Sequence, residues 1–267
     1  MAATRLPLAI LVNLALATAP VLAQSDASTG DWSLRLGGAA LVVPSYEGSD
    51  SAAVRPVPLV DLQWRDLVFL DSRRGLGANL IRVDDPRGRG SLKIGPFANW
   101  RFARKEGDDD DLRGLGDVKG GVDVGAFAQY SLGRIDLNLT GKRNASDRDL
   151  GGTVEFGARY RLAPIGRTMV SFGPSVTWAD SDYMKSYFGV AADKVLATGL
   201  AAYAPSAGMK DVGIGVLAVH PFAGNWALSG FGGYTRLVGD AADSPLVKQR
   251  GSANQLSFGL GLSYKFR

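Results

Sequence analysis

The sequence contains no cysteine and a single histidine, His220. The lack of cysteine excludes disulfide bonds, thiolate zinc sites and a thiol nucleophile. A serine hydrolase needs a base beside its nucleophile, and His220 is followed at once by Pro221 and Phe222, which favours an ordinary residue next to a turn. The sequence therefore predicts a protein that is not an enzyme and that has no catalytic, cofactor or metal site.

A strong excess of one charge is also lacking. The chain has 30 Lys and Arg residues against 26 Asp and Glu residues, and the basic ones are spread along it rather than gathered on a recognition helix. This pattern excludes nucleic acid as a favoured partner. No Gly-x-x-x-x-Gly-Lys-Ser/Thr sequence is present, so a phosphate-binding loop of that type is excluded as well.

One acidic run, Asp108–Asp111, has two interpretations. Its carboxylates can hold Ca²⁺ or bridge divalent ions to lipopolysaccharide, because hard cations prefer oxygen ligands. The run lacks the spaced ligands and the central glycine of a dedicated calcium loop. We therefore favour a solvated, mobile loop.

Long apolar runs are confined to the start of the chain. Arg5 precedes the apolar stretch Leu6–Ala17, and Val21–Ala23 supplies small residues, which is the order of a secretory signal. We expect cleavage after Ala23 and a single domain over residues 24–267. Beyond that point no uncharged apolar run approaches about 18 residues, which excludes a helical membrane protein.

Glycine, by contrast, is abundant, with 35 residues, and apolar residues alternate with small or polar ones. Successive side chains of a strand point to opposite faces, so this pattern indicates two-sided strands. The segments run about 10 to 15 residues, longer than soluble strands and long enough to cross a membrane. Aromatic residues lie near their ends, as interface girdles require. The clearest segment alternates Leu256, Phe258, Leu260, Leu262, Tyr264 and Phe266 with Ser257, Gly259, Gly261, Ser263 and Lys265.

Connection lengths then predict an antiparallel, up-and-down transmembrane β-barrel with short periplasmic turns, long extracellular loops and periplasmic termini. If every short turn lies on one side, the stretch Leu67–Ile81 must be a small hairpin, and the barrel has twelve strands. If that hairpin folds inward or only lines the rim, the count is ten. The predicted strands are 31–42, 53–63, 67–71, 76–82, 91–103, 118–131, 134–142, 151–162, 167–179, 211–221, 226–237 and 252–266.

The polar face of these strands is expected to line the lumen. Its charged members have mixed signs, which suits either a water-filled pore or an internal network of paired charges, and both alternatives stay open. The long segment Asp180–Lys210 can fold over or into the mouth. The candidate lumen-lining residues are Lys93, Arg101, Asp123, Asp136, Lys142, Glu155, Arg159 and Arg161.

Several segments match, in order, sequence patterns of one known family. They are Pro44–Asp50, Arg74–Gly77, Thr177–Asp180, Asp182–Met184, Tyr187–Val190, Gly239–Pro245 and Gly259–Phe266. On these residues the chain resembles the MipA/OmpV family of outer-membrane proteins over essentially the whole expected mature sequence. The resemblance implies an outer-membrane β-barrel, and it transfers no catalytic residue.

The resemblance implies three functions. In one branch of the family, the barrel is a scaffold that brings a membrane-bound lytic transglycosylase together with a peptidoglycan synthase. Other relatives are porin-like or stress-response barrels, or adhesins. We therefore expect a cell-envelope scaffold in contact with outer-membrane lipid and lipopolysaccharide, whose periplasmic turns such as Val83–Gly90 contact cell-wall enzymes. A small channel and a surface adhesin are the alternatives, and no oligomeric state is predicted.

Overall fold

The computed structural model describes residues 31–266, which form one antiparallel sheet with four short helices. The predicted signal segment, residues 1–23, lies outside the described residues. The strands are β1 Trp32–Pro44, β2 Ala52–Trp64, β3 Val68–Asp71, β4 Gly75–Ala78, β5 Ile81–Asp84, β6 Gly90–Arg101, β7 Gly121–Leu132, β8 Ile135–Asn144, β9 Gly152–Arg161, β10 Met169–Ala179, β11 Gly208–Ala223, β12 Trp226–Leu237 and β13 Asn254–Lys265.

The sheet closes on itself as a barrel. Apart from β4 and β5, neighbouring strands along the chain pair with each other, β1 pairs with β13, and β4 pairs with β6 through Leu76↔Ala98 and Gly77↔Phe97. Twelve strands therefore form the ring, which confirms the predicted number. Closure matters because lipid offers no hydrogen-bond partners to a sheet edge.

The short strand β5 lies outside this ring of twelve. It pairs only with β6, from Ile81↔Ile94 to Asp84↔Ser91, and follows β4 after a two-residue break. The register with β6 shifts by one residue between β4 and β5. The predicted strand 76–82 is thus divided into two parts that both pair with β6.

Gly95 packs directly against this break. A Cβ atom at Gly95 would lie 1.6 Å from the carbonyl oxygen of Ala78, whereas a Cβ at Gly38 would meet nothing within 4 Å. We expect Gly95→Ala to lower the yield of folded barrel, measured by heat-modifiable migration on a gel, because the β4–β6 contact closes the ring. Gly38→Ala, the matched control, should fold like the parent. Equal yields for both variants would contradict a tight approach at Gly95.

Side chains alternate between the two faces of the barrel wall. In β13 the burial alternates without interruption from Asn254 to Ser263, so that the even-numbered apolar residues are exposed on the outside. Aromatic pairs lie at the end of the barrel that carries the short turns, where Trp32 contacts Trp64 and Trp226 contacts Tyr264. An apolar outer band bordered by aromatic residues is the surface that a bilayer requires.

The long connections build a packed cap over the other end. The cap helices are α1 Ser181–Phe188, α2 Val195–Thr198, α3 Gly239–Asp243 and α4 Pro245–Arg250. The carboxylate of Asp180 accepts a hydrogen bond from the Tyr183 amide and begins α1, whereas Pro245 occupies the first turn of α4. Within residues 31–266, no helix is long and apolar enough to span a membrane.

Two apolar clusters hold the cap together. One joins α1, α3 and α4 through Met184, Phe188, Ala241 and Val247. The other packs Tyr46, after β1, against a group from three different loops, namely Leu112, Val190, Leu200 and Leu246. The segment Asp180–Lys210 therefore folds over the barrel end, which is one of the two positions expected from the sequence. By the loop-length rule, this end is extracellular.

Candidate functional site

A cavity of about 1200 Å³ occupies the barrel interior. Its lining begins at the short-turn rim, with Arg89 and Lys265, and ends under the cap, with Tyr46, Tyr183 and Tyr187. The cavity is therefore covered on the extracellular side and reaches the periplasmic rim. A second cavity of about 90 Å³ lies beside it.

All eight candidate lumen-lining residues face these cavities. Seven line the larger one, namely Lys93, Arg101, Asp123, Asp136, Lys142, Glu155 and Arg161. Arg159 lines the smaller one, together with Glu155. The structure thus places the eight side chains on one inner surface, but it does not gather them into one site.

Asp123 is the centre of a buried charge cluster under the cap. Its carboxylate is fully buried and lies 2.8 Å from Nε of Arg101 and 3.6 Å from Nζ of Lys142. The Asn144 side-chain amide donates a further hydrogen bond of 3.1 Å to it. Arg101 also donates to the carbonyl of Leu150, which fixes its guanidinium. One carboxylate therefore compensates two cations in this region.

Two further ion pairs lie nearer the periplasmic rim. Asp136 is buried, lies 3.0 Å from Nε of Arg161 and accepts a hydrogen bond from the Ser131 hydroxyl. Nζ of Lys93 lies 2.7 Å from the carboxylate of Asp66, which belongs to the β2–β3 turn. The partner of Lys93 was absent from the sequence prediction because turn residues have no face to assign.

Glu155 and Arg159 differ in their partners. Glu155 pairs with Arg73 of the β3–β4 turn at 3.5 Å. Nη1 of Arg159 is buried and has no hydrogen-bond partner among the described residues. The arrangement as a whole resembles an internal network of paired charges more than a lining of one sign.

Sequence reasoning missed the charge cluster that joins the cap to the barrel. Nζ of Lys210 lies 2.8 Å from Glu47 and 2.7 Å from Asp211, and the Tyr183 hydroxyl donates to the same Glu47 carboxylate. Lys210 is only 4% exposed. The adjacent opposite charges of Lys210 and Asp211, at the start of a strand, were the only sequence signal.

The tyrosines of the cap have raised pKa values. Burial is the main cause for Tyr46, Tyr183 and Tyr187, and nearby carboxylates act in the same direction, such as Asp111 at Tyr46 and Glu47 at the other two. The fold therefore holds these phenols neutral. The Tyr46 hydroxyl donates to the carbonyl of Arg250 and so connects the first loop to α4.

This burial predicts a pH dependence on the alkaline side. An unfolded tyrosine ionises near pH 10, so a phenol with a raised folded pKa leaves stability unchanged below about pH 10 and reduces it as the pH rises further. We expect the folded protein to need a higher pH than the denatured protein before all eight tyrosines show tyrosinate absorbance. In denaturant all eight should titrate together. A single ordinary transition in the folded protein would contradict a packed cap.

The acidic run and the histidine have structural roles. Asp108–Asp111, expected to be a solvated, mobile loop, lies in two short 3₁₀ turns at residues 106–108 and 110–112, where the Asp108 carboxylate accepts a hydrogen bond from the Lys105 amide and the Asp109 carboxylate accepts one from the Asp111 amide. In residues 31–266, no group of three or more acidic or histidine side chains is placed to hold a metal ion. Nδ1 of His220 lies 2.9 Å from the Thr168 hydroxyl near a short turn.

Comparison with known families matches residues 36–266 to the family described as MltA-interacting protein MipA. The chain belongs to this family. The MltA-interacting protein of Escherichia coli (strain K12) is 28% identical over 236 residues, which are 86% of this chain and 88% of that protein. The outer membrane protein OmpV of Vibrio cholerae serotype O1 is 28% identical over 159 residues, 59% of each chain.

Among solved structures, the NanC porin covers 87% of this chain and 100% of its own, with 9% identity and a TM-score of 0.47. Membership of the MipA family, the closed barrel and its apolar outer band place the chain in the outer membrane. The family description refers to an interaction and not to a catalysed reaction.

Proposed function

We propose that this MipA-family barrel is a non-enzymatic interaction protein, which presents the periplasmic mouth of its cavity to enzymes that remodel peptidoglycan. The observation that carries the proposal is the asymmetry of the cavity, which is covered outside by the cap and reaches the periplasmic rim. The partners are a lytic transglycosylase and a peptidoglycan synthase. The apolar outer band contacts outer-membrane lipid and lipopolysaccharide.

The cavity enlarges the surface that a partner protein can contact. Stable protein interfaces bury about 800 Å² on each partner, more than short turns can supply. A partner segment that enters the rim also gains the charged inner wall, where Arg89 and Lys265 line the cavity. Charged rim residues steer association more than they add affinity, so the interaction should weaken as salt rises.

Site-specific crosslinking tests this orientation and partner class. Because the chain has no cysteine, Arg87→Cys in the periplasmic turn and Arg113→Cys in an extracellular loop each give a unique attachment point. We expect a crosslinker on Arg87→Cys to capture peptidoglycan enzymes in intact envelopes, and one on Arg113→Cys to capture none. Failure of both to capture such an enzyme would overturn the interaction role.

A small channel is the second candidate, favoured by the volume and polarity of the cavity. The cap opposes it. In a planar bilayer, the folded parent protein should show no steady conductance under the interaction proposal. Regular conductance steps from the parent protein would favour the channel instead.

A further inference from the structure

The barrel wall has a gap on its extracellular half. The β3–β4 hairpin is short, and its turn meets β2 as high as Pro58, because Ser72 bonds to the backbone of Val60 and its hydroxyl donates to the carbonyl of Pro58. Above that level, residues 52–57 of β2 pair only with β1, and residues 99–101 of β6 pair only with β7. No strand lies between β2 and β6 at this level, where the two strands of the hairpin would otherwise stand, and two absent strands correspond to a width of about 14 Å at the usual strand spacing.

The sequence of β2 is suited to an unpaired edge. Val60 bonds toward the hairpin, so Pro56 and Pro58, which share its parity, direct their nitrogens toward the gap. Proline has no N–H group, and the edge therefore carries two fewer unsatisfied donors in the membrane. Pro56 faces the open gap and Pro58 lies at its lower margin, where the Ser72 hydroxyl bonds to its carbonyl, and this placement argues that the gap is a built feature.

The large cavity extends into this gap. Most of its lining is lumen-facing, but it also includes Val60 and Trp100, which belong to the outward parity of β2 and β6, together with Phe102 just beyond β6. The interior is thus connected to the lipid-facing side of the wall. Apolar groups continue inward from the gap, with Val57 and Leu59 on β2 and the buried ring of Phe69 on β3.

Two buried arginines flank the gap without a carboxylate partner. Arg55 of β2 is 8% exposed, and Arg104, three residues beyond β6, is 5% exposed. Each donates one hydrogen bond to a carbonyl, of Ser45 and of Tyr187 respectively. Nε of each is buried without a hydrogen-bond partner, and neither is in an ion pair among the described residues. Both line the cavity.

Glu47 is a carboxylate that acts electrostatically on Arg104, and it is already bound by Lys210 and Tyr183. Buried guanidinium groups are costly when unpaired, and they match carboxylate and phosphate oxyanions in geometry. The chemistry that suits this position is therefore that of an anion. The opening toward lipid and the apolar path inward indicate that this anion carries a hydrocarbon chain.

We propose that the lateral gap between β2 and β6 admits a single-chain anionic amphiphile from the membrane, whose head group is held by Arg55 and Arg104. The acyl chain lies along Val57, Leu59 and Phe69. This binding site does not depend on the interaction role proposed above, because its ligand enters from the bilayer through the lateral gap, whereas the protein partner approaches the periplasmic mouth of the same cavity.

Photolabelling with a diazirine-bearing palmitate, on the folded protein in lipid nanodiscs, tests the site. We expect labelled peptides from the inner face of β2 and from β3, identified by mass spectrometry. The uncharged hexadecanol analogue should label only outer-face positions, and excess acetate or inorganic phosphate should not compete. Labelling of the outer face alone by palmitate, or equal inner labelling by the alcohol, would overturn the proposal. Full competition by acetate or phosphate would identify a free-anion site and overturn the membrane source.

Variants separate the head-group contact from folding. Arg55→Gln and Arg104→Gln leave no carboxylate unpaired, so both should fold and keep heat-modifiable migration. Each should weaken palmitate labelling roughly tenfold to a hundredfold, as expected for loss of a charge-assisted contact. Arg87→Gln, in the exposed periplasmic turn, is the matched control and should label like the parent. Unchanged labelling of both cavity variants would contradict the assigned site.

Discussion

Asp123→Asn is expected to destabilise the folded barrel by about 3 to 5 kcal/mol, because it removes the negative charge that lies against two buried cations. Arg101 and Lys142 both point at this carboxylate from neighbouring strands. The substitution preserves side-chain size, so that the effect reports charge and not packing. The measurement is the free energy of unfolding in urea, with the protein in lipid or detergent.

The matched control is Asp110→Asn in an extracellular loop. Asp110 pairs with Arg113, but these side chains are 86% and 75% exposed, so that the loss should stay below about 1 kcal/mol. Lys142→Met should also cost less than Asp123→Asn, because Arg101 still compensates the carboxylate. If Asp123→Asn unfolds at the same urea concentration as the control, the buried cluster does not contribute to barrel stability.

Most of the fold could be predicted from the alternation of side chains along the strands. In β13 the predicted segment 252–266 and the observed strand Asn254–Lys265 agree closely, because the membrane and the lumen impose opposite chemistry on adjacent residues. The same alternation placed Lys93, Arg101 and the other candidates on the inner face. Side-chain polarity has a period of two residues wherever both faces of a strand have a defined environment.

The partners of those residues could not be derived in this way. Glu47 and Lys210 are 163 positions apart and meet only because the cap folds over the barrel end. Arg73 and Asp66 lie in turns, which have no periodicity. The helices of the cap have four to eight residues, too short for a helical pattern to emerge.

The sequence around Arg55 contains a signal of the lateral gap. It shares the inward parity of β2, and the Pro56-x-Pro58 spacing beside it indicates an open sheet edge. Together, these features locate a buried cation next to a gap in the wall. A charge inside a barrel is therefore informative when its strand also lacks a neighbour.

Lys210→Met should open the extracellular end of the barrel. The substitution removes the cation that holds Glu47 of the first loop and Asp211 of β11, and it leaves these two carboxylates close together without the ammonium group between them. Breaking a buried ion pair costs about 3 to 5 kcal/mol. If this free energy destabilises only the closed state of the cap, the ratio of open to closed cap rises by roughly a thousandfold. In a planar bilayer, the variant should show discrete conductance steps that the parent lacks.

Lys248→Met is the matched control, because Lys248 lies in the same cap and pairs with Asp243, but both side chains are 60% exposed. Its loss should leave the cap closed and the bilayer silent. Retained silence in Lys210→Met, with the altered cap still packed by tyrosinate titration, would show that the Lys210 cluster does not hold the barrel shut. Conductance in Lys210→Met alone would identify this cluster as the link between the cap and the barrel. It would show that one buried lysine keeps the extracellular end of the barrel closed.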